Sequence, residues 1–410
     1  MPTEQMQSDV LIIGAGIVGL TFALALSQST PLSIAIVDRA LPLAMPLTID
    51  HDLKKHHRVS AISLASERIF KRLGVWDAIV DQGDSTFSEM AVWDQAGQTL
   101  HFSSQSIASS HLGHMIENEV IQAALLQKLQ SYPQVKQYNP IQLLSYHEEK
   151  EQIILETNIG IFSTRLAVAS DGGQSWLRDK AGITCHKKKY NEEALVATLL
   201  LKESHDHIAK QGFLSTGAIA SLPLKDAHLT SLVWYLPNAL MTKIRSLSKD
   251  DFCREVTAAF SHHIGEVIDA SPHQVFSLVK QNATQYVKAH LALLGDAAHT
   301  VHPLAGQGVN MGLLDAASLV DVIQEALFNR RDFASLTTLR KYERWRMADH
   351  APWLFGIDWI KYLFEHSWPG LTYVRAFGLK MLNQFPALQI PFIHYAVGHR
   401  SDLPILAKIE

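Results

Sequence analysis

The first 38 residues carry the pattern that most restricts how this chain can fold. A short apolar run is followed at once by G-x-G-x-x-G, at Gly14, Gly16 and Gly19. A stretch of small and large apolar residues comes next, and a second apolar run ends at Asp38. This order predicts a βαβ unit in which the glycines bring a helix N-terminus up to a pyrophosphate, while the acid accepts hydrogen bonds from a ribose. NAD and FAD proteins share the pattern.

The same stretch has the length of a transmembrane helix or a signal peptide, because no charged residue occurs between Val10 and Ile36. However, no Lys or Arg precedes it, three glycines interrupt it, and Pro31 lies just before its second apolar run. A signal peptide has a positively charged start. We therefore expect neither a membrane span nor a signal peptide here.

The composition is that of a globular chain with several structural units. Its 410 residues suggest two or three domains, and 47% hydrophobic against 19% charged residues excludes disorder as the dominant state. The formal net charge of −4 lacks the basic excess of a nucleic-acid binder, so we expect no nucleic-acid partner. Two cysteines, Cys185 and Cys253, are too few for a disulfide framework, which favours a reducing, cytosolic setting.

Two further segments repeat the pattern of a strand that ends beside an acid. One apolar run leads into Asp171 and a glycine, and another leads into a glycine and Asp296. A glycine-rich loop follows, and a helical pattern starts near Asn310 and continues to about Phe328. Acids at the carboxyl ends of parallel strands lie where such sheets bind ligands, and a loop that leads into a helix N-terminus binds anions.

Together these segments resemble the three fingerprints of the class A flavoprotein aromatic monooxygenases. Within that group, the string Gly-Asp-Ala-Ala-His-Thr-Val-His-Pro-Leu-Ala-Gly-Gln-Gly-Val-Asn-Met-Gly at 295–312 is similar to the ubiquinone-biosynthesis hydroxylases. Further matches occur at 58–63, 115–125, Leu339, Tyr342 and Arg346. The resemblance implies an α/β fold: a Rossmann-like FAD-binding domain with an inserted, mainly antiparallel β-sheet substrate domain and a helical C-terminal region.

On this basis we predict three parts for the chain. Alternating stretches at 194–201, 219–224 and 231–236 are typical of the inserted antiparallel sheet, which would roof the substrate pocket. The FAD-binding domain then comprises residues 1–72, 112–182 and 284–350. The substrate domain comprises residues 73–111 and 183–283. The C-terminal region comprises residues 351–410.

The resemblance assigns the adenosine and pyrophosphate side of FAD to five residues. Gly14, Gly16 and Gly19 are expected to hold the pyrophosphate. Asp38 is expected to bind the adenosine ribose, at a position where the family often has Glu. Arg58 is expected to contact the pyrophosphate or the flavin.

On the flavin side, the resemblance gives Asp296 the ribityl chain. It gives Asp171 a double role, at the pyrophosphate region and on the route of the nicotinamide. Gly308, Val309 and Asn310 are expected to present backbone groups to the pyrimidine edge of the isoalloxazine. A helix N-terminus at that edge would stabilise the negative charge of the reduced ring.

Two more residues are candidates. Asn118, where related enzymes often carry Arg or Gln, is a candidate for a ribityl or ribose contact. His302 adjoins a proline that faces the flavin in relatives, and it is the candidate to assist deprotonation of a phenol.

Asp296, His299 and His302 also have the spacing of a metal triad, and residues 51–57 include a histidine cluster. We interpret these two groups as a cofactor loop and a solvated loop, and we expect no bound metal.

The implied reaction is hydroxylation of the aromatic ring of a polyprenyl phenol, with dioxygen and a flavin C4a-hydroperoxide. NADH or NADPH would be a transient reductant, since no second G-x-G-x-x-G is present. The alternatives are another aromatic small molecule as substrate, a flavin halogenase or prenyl reductase, a non-catalytic FAD-holding subunit of a biosynthetic complex, and an NAD-dependent dehydrogenase. The Trp-x-Trp-x-Ile-Pro box usual in flavin halogenases does not occur.

The last 60 residues hold 11 of the 34 aromatic residues of the chain. This enrichment predicts helices that pack on the core or on a partner in a homo-oligomer or complex. A second interpretation is an interfacial surface that faces a lipid tail. Five Lys and Arg stand against four acids there, so membrane contact would be mainly apolar. We expect a cytoplasmic protein, with peripheral contact to the inner membrane face under the second interpretation.

Overall fold

A computed structural model describes residues 5–40, 58–95, 97–261, 263–302, 306–365 and 369–409. The strands in these ranges are β1 (Gln5–Ile13), β2 (Ile34–Val37), β3 (Val59–Ser63), β4 (Asp84–Phe87), β5 (Glu89–Asp94), β6 (Thr99–Ser103), β7 (Gly113–Glu117), β8 (Val135–Tyr138), β9 (Leu143–Glu148), β10 (Ile153–Thr157), β11 (Ile161–Ala169), β12 (Cys185–Leu201), β13 (Ile208–Leu214), β14 (Gly217–Pro223), β15 (Leu229–Pro237), β16 (Val267–Ala270), β17 (Gln274–Ala283), β18 (Val287–Lys288), β19 (Leu291–Leu293) and β20 (His299–Thr300). The α-helices are α1 (Ile17–Ser29), α2 (Leu64–Arg72), α3 (Trp76–Gly83), α4 (Asn118–Leu129), α5 (Trp176–Lys180), α6 (Asn238–Arg245), α7 (Lys249–Ala259), α8 (Gly308–Phe328), α9 (Leu336–Glu365), α10 (Pro369–Gln384) and α11 (Ile390–Val397).

The first sheet has the order β18-β19-β11-β1-β2-β8, in which β19, β11, β1, β2 and β8 run parallel. Strand β1 lies between β11 and β2, and Val10, Leu11 and Ile12 have no exposed surface. Helix α1 follows and is buried from Gly19 to Ser27. The uncharged run near the N-terminus therefore contains a buried strand of a parallel sheet and the helix that follows this strand. The predicted βαβ unit is confirmed.

The second sheet has the order β20-β17-β12-β15-β14-β13-β5-β6. Along that path, as far as the structure describes it, only β13 and β5 pair in parallel. Its own core includes Leu195, Ile219 and Trp234 from the strands, with Phe252 and Val256 from α7. The predicted, mainly antiparallel sheet is confirmed. Its edge strand β20 lies directly after the third cofactor segment, so this sheet reaches the cofactor-binding region.

Two of the predicted domain boundaries separate residues that pack together. Val75, Trp76 and Ile79 belong to the core of the first sheet, although they lie in the part assigned to the substrate domain. Strand β4 pairs with β7, which also pairs with β3. We therefore propose that the substrate domain begins near residue 88. Helix α9 runs without a break across residue 350, so the C-terminal region starts inside a helix.

The C-terminal helices contact the second sheet. Phe364 of α9 stacks on Phe213 of β13, with ring centroids 4.1 Å apart. Asn383 of α10 donates from Nδ2 to the carbonyl of Thr99 in β6 at 2.7 Å. None of the helices that the structure describes has the length and apolar character needed to cross a bilayer.

Candidate functional site

The first turn of the parallel sheet has no room for side chains at two of its glycines. Gly14 has φ +107°, and a Cβ there would lie 2.4 Å from the carbonyl oxygen of Ser170. A Cβ at Gly19 would lie 2.2 Å from the Gly14 carbonyl oxygen. Gly16 differs, because the position of its Cβ faces open space. Gly16 is also the N-cap of α1, immediately before Ile17. No described side chain caps this N-terminus, so the first N–H groups of the helix are available to an anion.

The acid at the end of β2 turns toward this glycine loop. Asp38 accepts a hydrogen bond from the N–H of Ala15 at 2.6 Å, and another from the N–H of Ala40 at 2.7 Å. Gln122 of α4 supports the loop from the other side and donates from Nε2 to the Ala15 carbonyl at 2.7 Å. Sequence reasoning did not single out Gln122, because nothing in the helical pattern of α4 marks one glutamine among its neighbours.

The second segment ends β11 and carries an acceptor that no described residue satisfies. One carboxylate oxygen of Asp171, Oδ2, accepts from the N–H of Trp176 at 2.7 Å. The other oxygen, Oδ1, is buried and accepts no hydrogen bond from any described residue. Burial raises the pKa of this carboxyl. Such an oxygen is costly to bury unless a ligand donates to it, so it marks a contact point for one.

The third segment places Asp296 next to the second. The Asp296 side chain is exposed although protein surrounds the residue closely, so its carboxylate projects into a recess rather than from a convex surface. Burial of this kind raises its pKa, against the opposing charges of His299 and Arg58. Gln281 donates from Nε2 to the carbonyls of Gly173 at 2.5 Å and Asp296 at 3.1 Å, and so joins the second segment to the third.

Helix α8 begins at Gly308, two residues before the predicted start. Its N-terminus is not capped by any described side chain, and the Cβ position of Gly308 faces open space. The N–H groups of Gly308 and Val309 therefore point out of the helix without an intrahelical partner. This is the N-terminus that the sequence predicted for the flavin edge.

The side chain of Asn310 has a structural role that the sequence did not indicate. It is buried, and its Oδ1 accepts from the N–H of Ser63 at 3.0 Å and from Ser66 Oγ at 2.8 Å. Its Nδ2 donates to the carbonyl of Ala61 at 2.8 Å. Asn310 therefore fixes β3 and α2 to the start of α8.

Asn118 and Arg58 are neighbours across the small β3–β7 pair. The Asn118 N–H donates to the Arg58 carbonyl at 2.8 Å, and Asn118 Oδ1 accepts from Ser60 Oγ at 2.6 Å. The Arg58 side chain is exposed and lies over the Phe276 ring, 5.5 Å from its centroid. The histidine cluster at 51–57, just before Arg58, lies outside the described residues.

The metal triad considered from sequence is not assembled. His299 and His302 turn to different partners: His299 Nε2 lies 2.6 Å from Asp315 Oδ2, and His302 Nε2 lies 3.1 Å from Glu192 Oε1. Asp315 is fully buried, and its Oδ1 accepts from Arg346 Nε at 2.7 Å. Arg346 also lies 2.9 Å from His350 Nε2, so a cation of the protein already occupies this cluster.

Asp315 supports the third segment from beneath. Its Oδ2 also accepts from the Gly295 N–H at 3.0 Å. Burial would raise the pKa of the Asp315 carboxyl, but the charges of His299, His350 and Arg346 outweigh it and hold that pKa well below its usual range. The loop that carries Asp296 is therefore held by a charged network inside the core.

His302 lies two residues after β20, the edge strand of the second sheet that follows the third cofactor segment. It is buried, and its Nε2 faces Glu192 of β12. The rings of Tyr190 and Tyr235 lie 4.8 and 5.1 Å from its own, and burial raises the pKa of the Tyr235 hydroxyl. We call these four residues the sheet junction. Glu192 and the tyrosines were not singled out from sequence, because they lie more than 60 residues from His302 in chain order.

The loops at the ends of β1, β11 and β19 and the N-termini of α1 and α8, here called the cofactor edge, fit an elongated ligand with a charged middle. Two uncapped helix N-termini can receive its anionic parts. Asp38, Asp171 and Asp296 supply acceptors for hydroxyl and N–H groups beside them. This donor and acceptor set fits a dinucleotide with a pyrophosphate and polyol chains.

The comparisons with known proteins point to the same cofactor. A family model described as FAD binding domain matches residues 7–350. The chain is 32% identical to the 3-demethoxyubiquinol 3-hydroxylase of Escherichia coli (strain K12), over 95% of this chain and 98% of that protein. It is 31% identical to the ubiquinone hydroxylase UbiL of Rhodospirillum rubrum, over 95% of this chain and 90% of that protein.

Among solved structures, the p-nitrophenol 4-monooxygenase PnpA from Pseudomonas putida DLL-E4 superposes with a TM-score of 0.76. The superposition covers 97% of this chain and 100% of the PnpA chain. The sequence identity is 16%, so this likeness concerns the fold. The fold, the matched family model and the near-full-length relatives agree with one another. The chain therefore belongs to the family of FAD-dependent monooxygenases that includes ubiquinone-biosynthesis hydroxylases.

Proposed function

We propose that this protein hydroxylates the aromatic ring of a polyprenyl phenol in ubiquinone biosynthesis, with FAD as cofactor, dioxygen as co-substrate and NADH or NADPH as reductant. The observation that carries the proposal is the similarity to a 3-demethoxyubiquinol 3-hydroxylase over almost the whole of both chains. Because that similarity spans the second sheet as well as the first, it includes the part of the fold where a substrate would be selected.

We assign a group of the cofactor edge to each part of FAD. The N-terminus of α1 at Gly16 would bind the pyrophosphate, and Asp38 the adenosine ribose. Asp296 would accept hydrogen bonds from the ribityl hydroxyls, and the N–H groups of Gly308 and Val309 would lie at the pyrimidine edge of the ring. Bound FAD supplies electron transfer from the nicotinamide and activation of dioxygen, which no side chain provides.

We propose that the sheet junction would supply proton chemistry for the reaction at that ring. In the tautomer that donates Nε2–H to Glu192, the basic lone pair of His302 is on Nδ1. His302 would assist the deprotonation of the phenol hydroxyl and so raise the electron density of the ring that is hydroxylated. Glu192 would orient the imidazole and stabilise its protonated form, as a carboxylate does for a catalytic histidine.

A polyprenyl tail needs an apolar surface near the site. Large apolar side chains of α9–α11 and of the segment between α10 and α11 are exposed: Trp359, Phe377, Phe385, Leu388 and Phe392. We propose that they face the tail or the surface of the membrane that holds it. Exposed apolar side chains concentrated in one stretch of the chain are what such a contact would require.

The test begins with an absorption spectrum of the purified protein, which we expect to show bound flavin. NADH and NADPH oxidation is then followed in air with a short-tailed demethoxyubiquinol and, separately, with p-nitrophenol. Oxidation that rises with the quinol, together with a product heavier by one oxygen atom, supports the proposal. Oxidation that rises only with p-nitrophenol assigns the protein to soluble phenols, and a protein that takes up no flavin contradicts the proposal.

A further inference from the structure

Three donor atoms converge at a place apart from the cofactor edge and the sheet junction. They belong to Glu67 of α2, to His111 in the loop before β7, and to His114 of β7. His111 Nε2 lies 2.9 Å from Glu67 Oε2 and 2.9 Å from His114 Nε2, and His114 Nε2 lies 3.2 Å from Glu67 Oε2. The side chains of Glu67 and His114 are 9% and 5% exposed, whereas that of His111 is 18% exposed.

The three atoms, Glu67 Oε2, His111 Nε2 and His114 Nε2, form a triangle. Hydrogen bonds alone cannot satisfy all three of them. A carboxylate oxygen only accepts, and each Nε2 carries at most one proton. If both rings donate to Glu67, two N–H groups face each other across 2.9 Å. If one ring donates to the other, the accepting nitrogen has no proton for the Glu67 oxygen 3.2 Å away. A cation at the centre attracts all three lone pairs at once.

The dimensions and the donor types suit a transition metal. Two donors on one tetrahedral zinc, at roughly 2.0–2.1 Å from it, lie roughly 3.3 Å apart. The three separations here are 2.9, 2.9 and 3.2 Å, so small movements would bring all three atoms to bonding distance. Two imidazoles with one carboxylate form a known zinc ligand set in which a fourth position stays open. Here that position would lie toward the partly exposed His111.

The groups around the triangle hold the ligands in place. The second carboxylate oxygen, Glu67 Oε1, pairs with Lys71 Nζ at 2.6 Å, which leaves Oε2 toward the histidines. His111 Nδ1 lies 2.8 Å from Ser110 Oγ, and the Trp76 ring packs edge-on against His114 at 4.7 Å. Partners of this kind fix the ring orientation of metal-bound histidines.

The other cluster of metal-binding residue types in the described chain, His299 with Asp315 and His350, differs in one respect. There, the guanidinium of Arg346 donates to Asp315 and contacts His350, so a positive charge is already present at the centre. In the first cluster, Lys71 approaches the far oxygen of the carboxylate and leaves the centre of the triangle open to an ion.

We propose that Glu67, His111 and His114 bind one divalent transition-metal ion, with zinc as the first choice. The ion would tie α2 to β7, one residue from Ser66, which donates to Asn310 at the start of α8. The site would therefore brace the cofactor edge without taking part in the redox chemistry. The sequence alone gives no sign of this site, because Glu67 lies 44 residues from His111 and no motif connects them.

The test uses the full chain without an affinity tag, stripped with a chelator and then titrated with zinc sulfate. We expect calorimetry and elemental analysis to give one zinc per chain and a higher Tm with zinc. His111→Ala and His114→Ala should each weaken zinc binding more than about tenfold, since even the outer partners of metal ligands contribute 10–100-fold. His186→Ala, which removes an exposed histidine of β12, is the matched control and should bind zinc as the parent does.

Glu67→Gln keeps the size of the side chain and serves if the histidine variants fail to fold; it too should lose tight zinc binding. Circular dichroism and flavin content without zinc check that each variant is folded. A stripped parent that takes up no stoichiometric zinc overturns the proposal. The proposal is also overturned if His111→Ala, His114→Ala and Glu67→Gln all fold and bind zinc as tightly as the parent, because the ion would then be bound by other histidines.

Discussion

The cofactor edge and the sheet junction offer different kinds of groups to a ligand. At the cofactor edge, most of the binding groups are backbone N–H groups at two helix N-termini, with glycines where a Cβ would collide. At the sheet junction, every group is a side chain, and His302 and Glu192 are 110 residues apart in the chain. A backbone site depends on the local path of the chain, whereas a side-chain site depends on contacts between distant segments. Substitutions should therefore act on folding and FAD binding at the first, and on turnover at the second.

The largest effect is expected for Gly19→Ala. The new Cβ would lie 2.2 Å from the Gly14 carbonyl oxygen and 2.4 Å from Ser170 Oγ, so the first turn has to shift. We expect a loss of more than about 4 kcal/mol in the free energy of unfolding, or no folded protein, measured by denaturant titration. Gly16→Ala is the matched control. Its Cβ meets nothing within 4 Å, so the apoprotein should fold normally and lose FAD affinity alone. Equal damage from both variants would contradict the account of this turn.

The next largest effect is expected at the sheet junction. His302→Gln should retain FAD and reduce kcat by about 10²–10⁴-fold, the usual contribution of a general base. Glu192→Gln should reduce kcat less, because the imidazole remains. Stopped-flow absorbance separates flavin reduction from hydroxylation, and only hydroxylation should slow. If His302→Gln lowers flavin content but leaves the rate per bound flavin unchanged, the residue belongs to the cofactor edge instead.

A smaller effect is expected for Asp296→Ala. Hydrogen bonds to ribityl hydroxyls are lost, at a cost of about 1–3 kcal/mol in FAD binding free energy. Asp296→Asn retains one acceptor oxygen and should lie between the parent and the alanine variant. Fluorescence titration of the apoprotein with FAD gives the three dissociation constants. Asp296→Ala protein that binds FAD as tightly as the parent would show that the ribityl chain lies elsewhere.

Over the tested range of pH 7.5 to 5.5, the smallest effect is a pH dependence of stability from the charged network beneath the cofactor edge. Burial, with the charge of His299, lowers the pKa of His350 to about 3. Below about pH 6.5, His350 is protonated in the unfolded chain but stays unprotonated in the folded chain. The free energy of unfolding therefore falls as the pH drops from 6.5 toward 3. The expected slope from this one group is about 1.4 kcal/mol per pH unit.

Urea titrations of the parent and His350→Gln at pH 7.5, 6.5 and 5.5 isolate that contribution, because the other histidines are common to both chains. The variant should be less stable at pH 7.5 but should lose less stability on acidification. Parallel curves for the two proteins would mean that His350 titrates alike in the folded and unfolded chains.

The distinction between backbone and side-chain sites also explains which parts of the site were predictable. The glycine turn, Asp38, Asp171 and Asp296 follow strands directly, so a motif of a few residues reports their position. The start of α8 was predicted two residues late, because the residues around Gly308 lack a strong helical pattern and only the loop geometry sets the first turn. The side-chain role of Asn310 depends on Ser63 and Ser66, which are more than 240 residues away in sequence.

The sequence by itself determined the parallel sheet, the antiparallel sheet and the acids at the cofactor edge. The reason is that apolar period, glycine spacing and strand-end acids act over distances of a few residues along the chain. Only the tertiary structure decided that Glu192 faces His302, that Arg346 rather than a metal ion neutralises Asp315, and that Glu67 meets His111 and His114. Those contacts join segments far apart in the chain, and only the tertiary packing of strands and helices brings them together.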